Sequence, residues 1–297
     1  MGIDLGGTQI KGVLVSAEGE VLRHEVRATR DDGGDAREWA GTIRALADDL
    51  GRGLPTGLSA PGLAARDRRS IAFLPGRLHG LEGLDWTHFL GRDALVPVTN
   101  DAHASLLGEV WLGSARGLRD AILLTLGTGV GGAILSDGKL LRGHLGRAGH
   151  LGHMCLDVRG TPSIVGMPGA LECAIGNYNI RERTGGRFDT THALIAAHLA
   201  GDEFASGVWL KSIHALACAL ASFINIFDPE AIILGGGIAQ AGDALFEPLR
   251  DELVKIEWRP AGHAVRLLPA VLGEWAGAIG AAREAMLAPH STSLRGC

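Results

Sequence analysis

The chain has 297 residues, a net charge of −5 and a pI near 6.2, with 46% hydrophobic and 21% charged residues. That length can carry two domains with a substantial core, and the composition is that of an ordinary globular protein. The acidic balance excludes general nucleic-acid binding, and the 45 glycines follow no collagen-like period.

Taken in order, residues 1–29 read as three short antiparallel strands around Asp4-Leu5-Gly6-Gly7-Thr8, with a turn at Ala17-Glu18-Gly19. Asp35 stands where it can cap a helix in which Trp39, Ile43, Leu46 and Leu50 recur at helical spacing. Residues 57–62 read as a strand entering a turn, 71–74 as a brief apolar run ending in Pro75-Gly76, and 86–90 as a short helix. A strand over 96–99 ends at Asn100-Asp101, and a helix over 102–111 follows at once. Residues 113–117 are the expected domain junction. The second half opens with a strand over 121–126 and a glycine hairpin, Gly127-Thr128-Gly129-Val130-Gly131-Gly132, which turns back at Asp137-Gly138. After a loop-rich stretch over 143–169, helical segments are expected over 170–183 and 191–200, then a long helix over 203–227. A strand over 231–234 runs into Gly235-Gly236-Gly237, followed by a helix over 242–254 and a strand over 265–268. The terminal helix, 275–286, is rich in Ala and Gly and suited to close packing. Residues 290–297 are expected to be disordered.

The four cysteines, Cys155, Cys173, Cys218 and Cys297, show no CxxC spacing and read as reduced thiols of a cytoplasmic protein. No signal peptide is expected. The apolar stretch over 214–226 reads as too short and too polar to cross a membrane.

Strands alternating with helices indicate a layered α/β fold. The repeated opening hairpin narrows this to two related α/β domains around a cleft: 1–115, with the terminal helix at about 275–288 packing back on it, and 116–274. Glycine turns let the backbone approach an anion, and their successive N–H groups can form a phosphate-holding concavity. Gly127, Gly129 and Gly132 satisfy a G-x-G-x-x-G pattern, but 133–135 continue as a strand, so a dinucleotide fold is rejected. A P-loop is rejected because Lys139 is followed by Leu140. Either turn alone would read as a tight hairpin. Their repetition with Thr8 and Thr128, and the third cluster at 235–237, favour phosphate binding.

Asp101 can take a proton from a substrate hydroxyl or simply cap the following helix. His150, His153 and Cys155 have spacing that zinc would accept, but Gly152 interrupts any shared helix face and no CxxC completes a shell. The two histidines otherwise serve as donors to a polar ligand. Glu172 reads as an acceptor for sugar hydroxyls or as an ordinary first-turn helix carboxylate.

Together these segments resemble the ROK family of bacterial sugar kinases and repressors, within the actin-like ATPase superfamily. The likeness rests on Asp4 to Thr8, Asn100-Asp101-Ala102, Leu126 to Gly132, Gly149 to His153, Asn225 to Pro229 with Leu234 to Gly237, and Leu272 to Ala278. It implies an actin-like fold and an ATP-dependent kinase that phosphorylates a hexose or N-acetylhexosamine, at the 6-hydroxyl. Asp101 would be the catalytic base, with Asn100, His150, His153, Glu172 and Gly62 binding the sugar. Asp4, Gly6, Gly7, Thr8, Lys11, Gly127, Thr128, Gly129, Gly235, Gly236 and Gly237 would bind ATP, and Asp4 would hold Mg2+ through water. A homo-oligomer, dimer or tetramer, is implied, with no nucleic-acid or membrane partner.

The chain departs from the family pattern at three places. His150 stands where the family usually has Glu, as it also does in some N-acetylmannosamine kinases of the family. The cysteines of the family's zinc segment are absent from 163–172 although His153 is retained, so structural zinc is not expected, and apolar packing around Val165 and Met167 is expected to hold that loop. The stretch Leu74-Pro75-Gly76-Arg77-Leu78 lacks a family Asn, whose sugar contact is expected to be missing or replaced by Arg77. The first phosphate motif begins at Asp4, so no preceding DNA-binding domain is expected. The rival readings are a non-catalytic sugar-binding or regulatory protein and an acyl or carboxylate kinase on the same superfamily fold.

Overall fold

The computed structural model describes residues 1–31 and 36–288. Asp35, the expected helix cap, and the stretch 290–297 with Cys297 lie outside the described residues. The chain divides into two compact units. Unit 1 comprises Met1–Arg116, Arg142–Ala148 and the segment from Leu272 on; unit 2 comprises Gly117–Leu141 and Gly149–Val271.

Unit 1 opens with β1 (Gly2–Leu5), β2 (Gln9–Val15) and β3 (Val21–Ala28), paired antiparallel in sequence. Helix α1 (Ala36–Gly51) buries Trp39, Ile43, Leu46 and Leu50, the residues its periodicity marks. Strand β4 (Gly57–Ala60) then pairs parallel with β1. A small hairpin, β5 (Leu63–Ala64) with β6 (Ile71–Phe73), and the short α2 (Trp86–Phe89) precede β7 (Val98–Asn100), which is parallel to β4. The expected strand over 96–99 thus begins two residues later, beyond Pro97, whose ring has no N–H to give a ladder. Helix α3 (Asp101–Leu112) follows with no intervening loop. The sheet order is β3-β2-β1-β4-β7.

Unit 2 repeats this plan. Strands β8 (Ala121–Leu126), β9 (Val130–Ser136) and β10 (Lys139–Leu140) form the antiparallel part. Helices α4 (Leu171–Ile175), α5 (Ile180–Arg183), α6 (Thr191–Leu199) and α7 (Glu203–Phe227) come next, then β11 (Ala231–Gly235), α8 (Asp243–Ile256) and β12 (Arg266–Pro269). The order is β10-β9-β8-β11-β12, with β11 parallel to both β8 and β12. Helix α7 contributes Trp209, Ile213, Leu216 and Leu220 to a core shared with Ile122, Leu124, Ile232 and Leu234. Burying each such aliphatic side chain stabilises by roughly 1.5–3 kcal/mol. By length and composition alone α7 is able to cross a membrane, contrary to the sequence expectation for 214–226; half of its apolar window is core of unit 2.

The helical stretch expected over 170–183 is three short pieces: α4, a 3-10 turn at Asn177–Asn179, and α5. Gly176, extended at ψ 153, ends α4. The loop before it corrects a second expectation. Val165 is 57% exposed and Met167 39%, so they do not hold the segment by packing. Backbone bonds do: Leu156 N–H to Gly169 C=O at 2.8 Å, Ser163 N–H to Met167 C=O at 2.8 Å and Gly169 N–H to Thr161 C=O at 3.0 Å.

The last helix, α9 (Ala276–Leu287), returns to unit 1 and lies against β1, β4 and α3. A β carbon on Gly280 would overlap the Ala104 carbonyl oxygen, and one on Gly2 would overlap that of Ala278. Close backbone approach, rather than turn geometry, therefore requires glycine here. From α9 the buried Glu284 carboxylate takes Arg68, Arg142 (2.9 Å) and Thr99 Oγ1 (3.4 Å), tying helix, sheet and the 142–148 segment together.

Candidate functional site

In unit 1 the candidate residues gather at the C-terminal ends of β1, β4 and β7. Ligands of open α/β sheets collect at such ends. The first glycine turn joins β1 to β2, with Gly6 N–H closing onto Gln9 C=O at 2.9 Å. Its carbonyls are occupied from β3's end: Thr29 Oγ1 donates to Gly6 C=O at 2.7 Å, and Thr29 N–H to Thr8 C=O at 3.0 Å. With the carbonyls engaged there, the turn is suited to present N–H groups to an anion.

Asp4, at the end of β1, accepts a hydrogen bond from Ser59 Oγ on β4 at 2.6 Å. Burial pushes its carboxyl up from 3.8 to about 6. The Ser59 hydrogen bond opposes this shift, the charge of Asp101 adds to it, and Lys11 opposes it more weakly. Lys11 faces Asp4 across the β1–β2 ladder and also pairs with Glu274 at 2.9 Å. Ser59 was not singled out from the sequence; it lies 55 residues from Asp4, and only the parallel β1–β4 register (Asp4↔Ser59) unites them.

Asn100 caps α3, not Asp101. Asn100 has extended backbone (φ −60, ψ 147), and its Oδ1 accepts from Ala102 N–H at 3.0 Å and His103 N–H at 3.3 Å. Its Nδ2 donates to Gly62 C=O at 2.9 Å, leaving one amide proton for a ligand. Asp101 occupies the first helical position, is exposed, and accepts Ala102 N–H at 2.8 Å. Gly62 has φ +96, and a β carbon there would stand 2.6 Å from Phe73 C=O, so the turn beside Asn100 requires glycine.

In unit 2 the turn Gly127–Gly129 joins β8 to β9 and is braced in the same way. Asn177 N–H donates to Gly127 C=O and Tyr178 N–H to Thr128 C=O, each at 2.9 Å. The segment that supplies these donors is clamped by Arg183. Its guanidinium donates to the carbonyls of Ala174 (3.1 Å), Ile175 (3.3 Å) and Gly176 (2.9 Å), to Ser212 Oγ (2.8 Å) and to Asn179 Oδ1 (3.2 Å). Burial pulls Arg183 down to about 10. Sequence reading missed Arg183, since a lone arginine in a helical run gives no sign of what its fork will reach.

Glu172, on α4, is 3% exposed and lies beside this turn: a β carbon on Gly129 would stand 2.9 Å from its Oε2. Its Oε1 lies 3.3 Å from His153 Nδ1, yet both atoms are buried without a properly formed hydrogen bond. His150 is next to them, its ring 6.2 Å from that of His153 and nearly parallel at 23°. The third glycine cluster follows β11. Gly236 has φ +85 and rests against the Leu126 backbone at the end of β8, and Gly237 lies beside His192.

Among the described residues no cluster of three or more His, Cys, Asp or Glu could hold a metal ion. Mg2+ keeps several waters and needs only one or two carboxylates. The desolvated Asp4 carboxylate, with no full counter-charge on it, fits that requirement.

Two sheets of one topology, each opening on a braced glycine turn, define a duplicated α/β protein. The ROK family model matches residues 1–288, and the chain belongs to that family. A glucokinase from Thermotoga maritima is 33% identical over 310 residues, covering 95% of both chains. The crystal structure of a ROK hexokinase from Thermus thermophilus matches with a TM-score of 0.82 at 32% identity, covering 95% of both chains. That of a ROK family glucokinase from Streptomyces griseus, in complex with glucose and AMPPNP, matches with a TM-score of 0.77 at 29% identity over 96% of this chain and 98% of that one. The architecture is accordingly that of the actin-like ATPases.

Proposed function

We propose that the protein is an ATP-dependent sugar kinase that transfers the γ-phosphoryl group to the 6-hydroxyl of a hexose or N-acetylhexosamine. The observation that carries this reading is the braced glycine turn that opens each of the two like sheets. It suits each unit to an anion such as a phosphate. The sugar kinases among the relatives, and the glucose and AMPPNP in one of them, support the same substrate classes.

Asp101 takes the proton of the attacking hydroxyl as its oxygen bonds to phosphorus. Asn100 Oδ1 takes the cap of α3, and Asp101 stands exposed at the first helical position. Asp4 would hold Mg2+, which neutralises phosphate charge when bound. Each glycine turn is suited to phosphate through its N–H groups, and Gly235 to Gly237 offer close backbone approach to the nucleotide.

The test is ADP release with Mg-ATP across glucose, mannose, fructose, allose, N-acetylglucosamine and N-acetylmannosamine. One sugar should stand well above the rest. With it, Asp101→Asn should keep sugar binding by calorimetry and lose turnover by about 10²–10⁴-fold, the range of general-base catalysis. Near-normal turnover would remove Asp101 from that role. Binding without turnover by the unaltered protein would favour the regulatory reading instead.

A further inference from the structure

The segment after β6 holds Arg77 in a way that its sequence position alone does not explain. Gly76 and Leu78, on either side of it, both have left-handed backbone, at φ +85 and φ +50. That region is disfavoured for leucine, and such outliers persist only where the surroundings over-determine them. Here they do. The Leu78 side chain is in the core of unit 1, its N–H donates to Asp31 Oδ2 at 2.9 Å, and its carbonyl accepts Leu81 N–H at 3.0 Å.

The consequence is where Arg77 points. Its Nη1 lies 3.9 Å from the place a β carbon on Gly7 would occupy, over the middle of the first glycine turn. Among the described residues no carboxylate forms an ion pair with it. The turn beneath has its Gly6 and Thr8 carbonyls engaged by Thr29. A guanidinium and a turn suited to present N–H groups therefore share one space, and both call for an anion.

We propose that Arg77 is a catalytic residue whose guanidinium contacts the transferring phosphoryl group. The proposal rests on the sugar kinase reading above. In the step, the sugar oxygen bonds to phosphorus and the bond from phosphorus to the bridging oxygen breaks. Its electron pair leaves on ADP, and the hydroxyl proton passes to Asp101. Arg77 stays protonated throughout and opposes the charge on the phosphoryl oxygens. This assigns Arg77 to the phosphoryl group and not to the sugar hydroxyl, one of the two readings that the family resemblance leaves open.

The experiment pairs steady-state kinetics with trapping of ADP and aluminium fluoride in the presence of sugar, a mimic of the transferring group. Arg77 is exposed, so its replacement should leave the fold intact. Arg77→Ala should lower kcat by about 10²–10³-fold, the range for removing one preorganised donor to developing charge, with the sugar KM unchanged. It should also lose the trapped complex while still binding ADP alone. Arg77→Lys should recover part of kcat, and millimolar guanidinium should partly rescue Arg77→Ala. A raised sugar KM with kcat intact would place Arg77 on the sugar and overturn the proposal. Unaltered kcat and trapping in Arg77→Ala would overturn it too. If the unaltered protein neither traps the complex nor releases ADP with any sugar, the kinase reading itself falls and takes the proposal with it.

Discussion

Asp4 should cost the apo-protein stability at neutral pH, and Asp4→Asn should recover it. The carboxyl titrates near 6 in the folded chain against 3.8 ordinarily, chiefly because burial disfavours its charged form. The folded state therefore binds this proton more tightly than the unfolded state does. The stability linked to it is complete below pH 3.8 and is lost as pH rises through 6. A shift of about two pH units at 1.36 kcal/mol each makes the loss roughly 3 kcal/mol at pH 7.5, and about half of that at pH 5. An asparagine does not titrate, and its oxygen can still accept the Ser59 hydrogen bond. Urea denaturation in metal-free buffer should thus find Asp4→Asn more stable by roughly 3 kcal/mol at pH 7.5, with the gain fading to about 0.5 kcal/mol at pH 4. Mg-ATP should narrow the difference by stabilising the unaltered protein alone. A variant no more stable at pH 7.5, or a gain that does not vary with pH, would refute the argument. A carboxylate kept where it costs stability is a candidate for work at the site, such as holding a cation.

Two substitutions test the supports of the site. Gly280→Ala lies within α9, where helix propensity alone would favour alanine by about 1 kcal/mol. Overlap with the Ala104 carbonyl reverses that sign, and a net loss of at least about 2 kcal/mol is expected in thermal or urea unfolding; stabilisation would show that α9 has room to move. Arg183→Met removes the clamp on α4 and leaves three carbonyls without its donors. The expected cost is about 3 kcal/mol, with weaker ATP binding by calorimetry as the Asn177 and Tyr178 braces loosen.

The glycine turns were legible because their chemistry is local: apolar strand, Gly and Thr, then a second strand that folds back. The Ala/Gly character of α9 likewise announced close packing before its partners were known. The cap at α3 was not legible, since Asn and Asp are equally good caps side by side and only the end of β7 decides between them. The 155–170 loop misled for a related reason. Side-chain composition suggested that apolar residues take over from the missing cysteines, whereas backbone pairing through Gly160, Gly166 and Gly169 leaves no mark in hydrophobicity. What remained hidden is mostly long-range. Ser59 reaches Asp4 through a parallel register, Arg77 reaches Gly7 through a strained loop, and Thr29 braces the turn from the far end of its hairpin. Backbone turns can be read as phosphate sites, but the side chains that set their charge come from elsewhere in the chain. A neighbouring chain with both turns intact could therefore differ in catalysis through residues such as Arg77 and Ser59, and those positions are where differences in activity between otherwise matching chains should be sought.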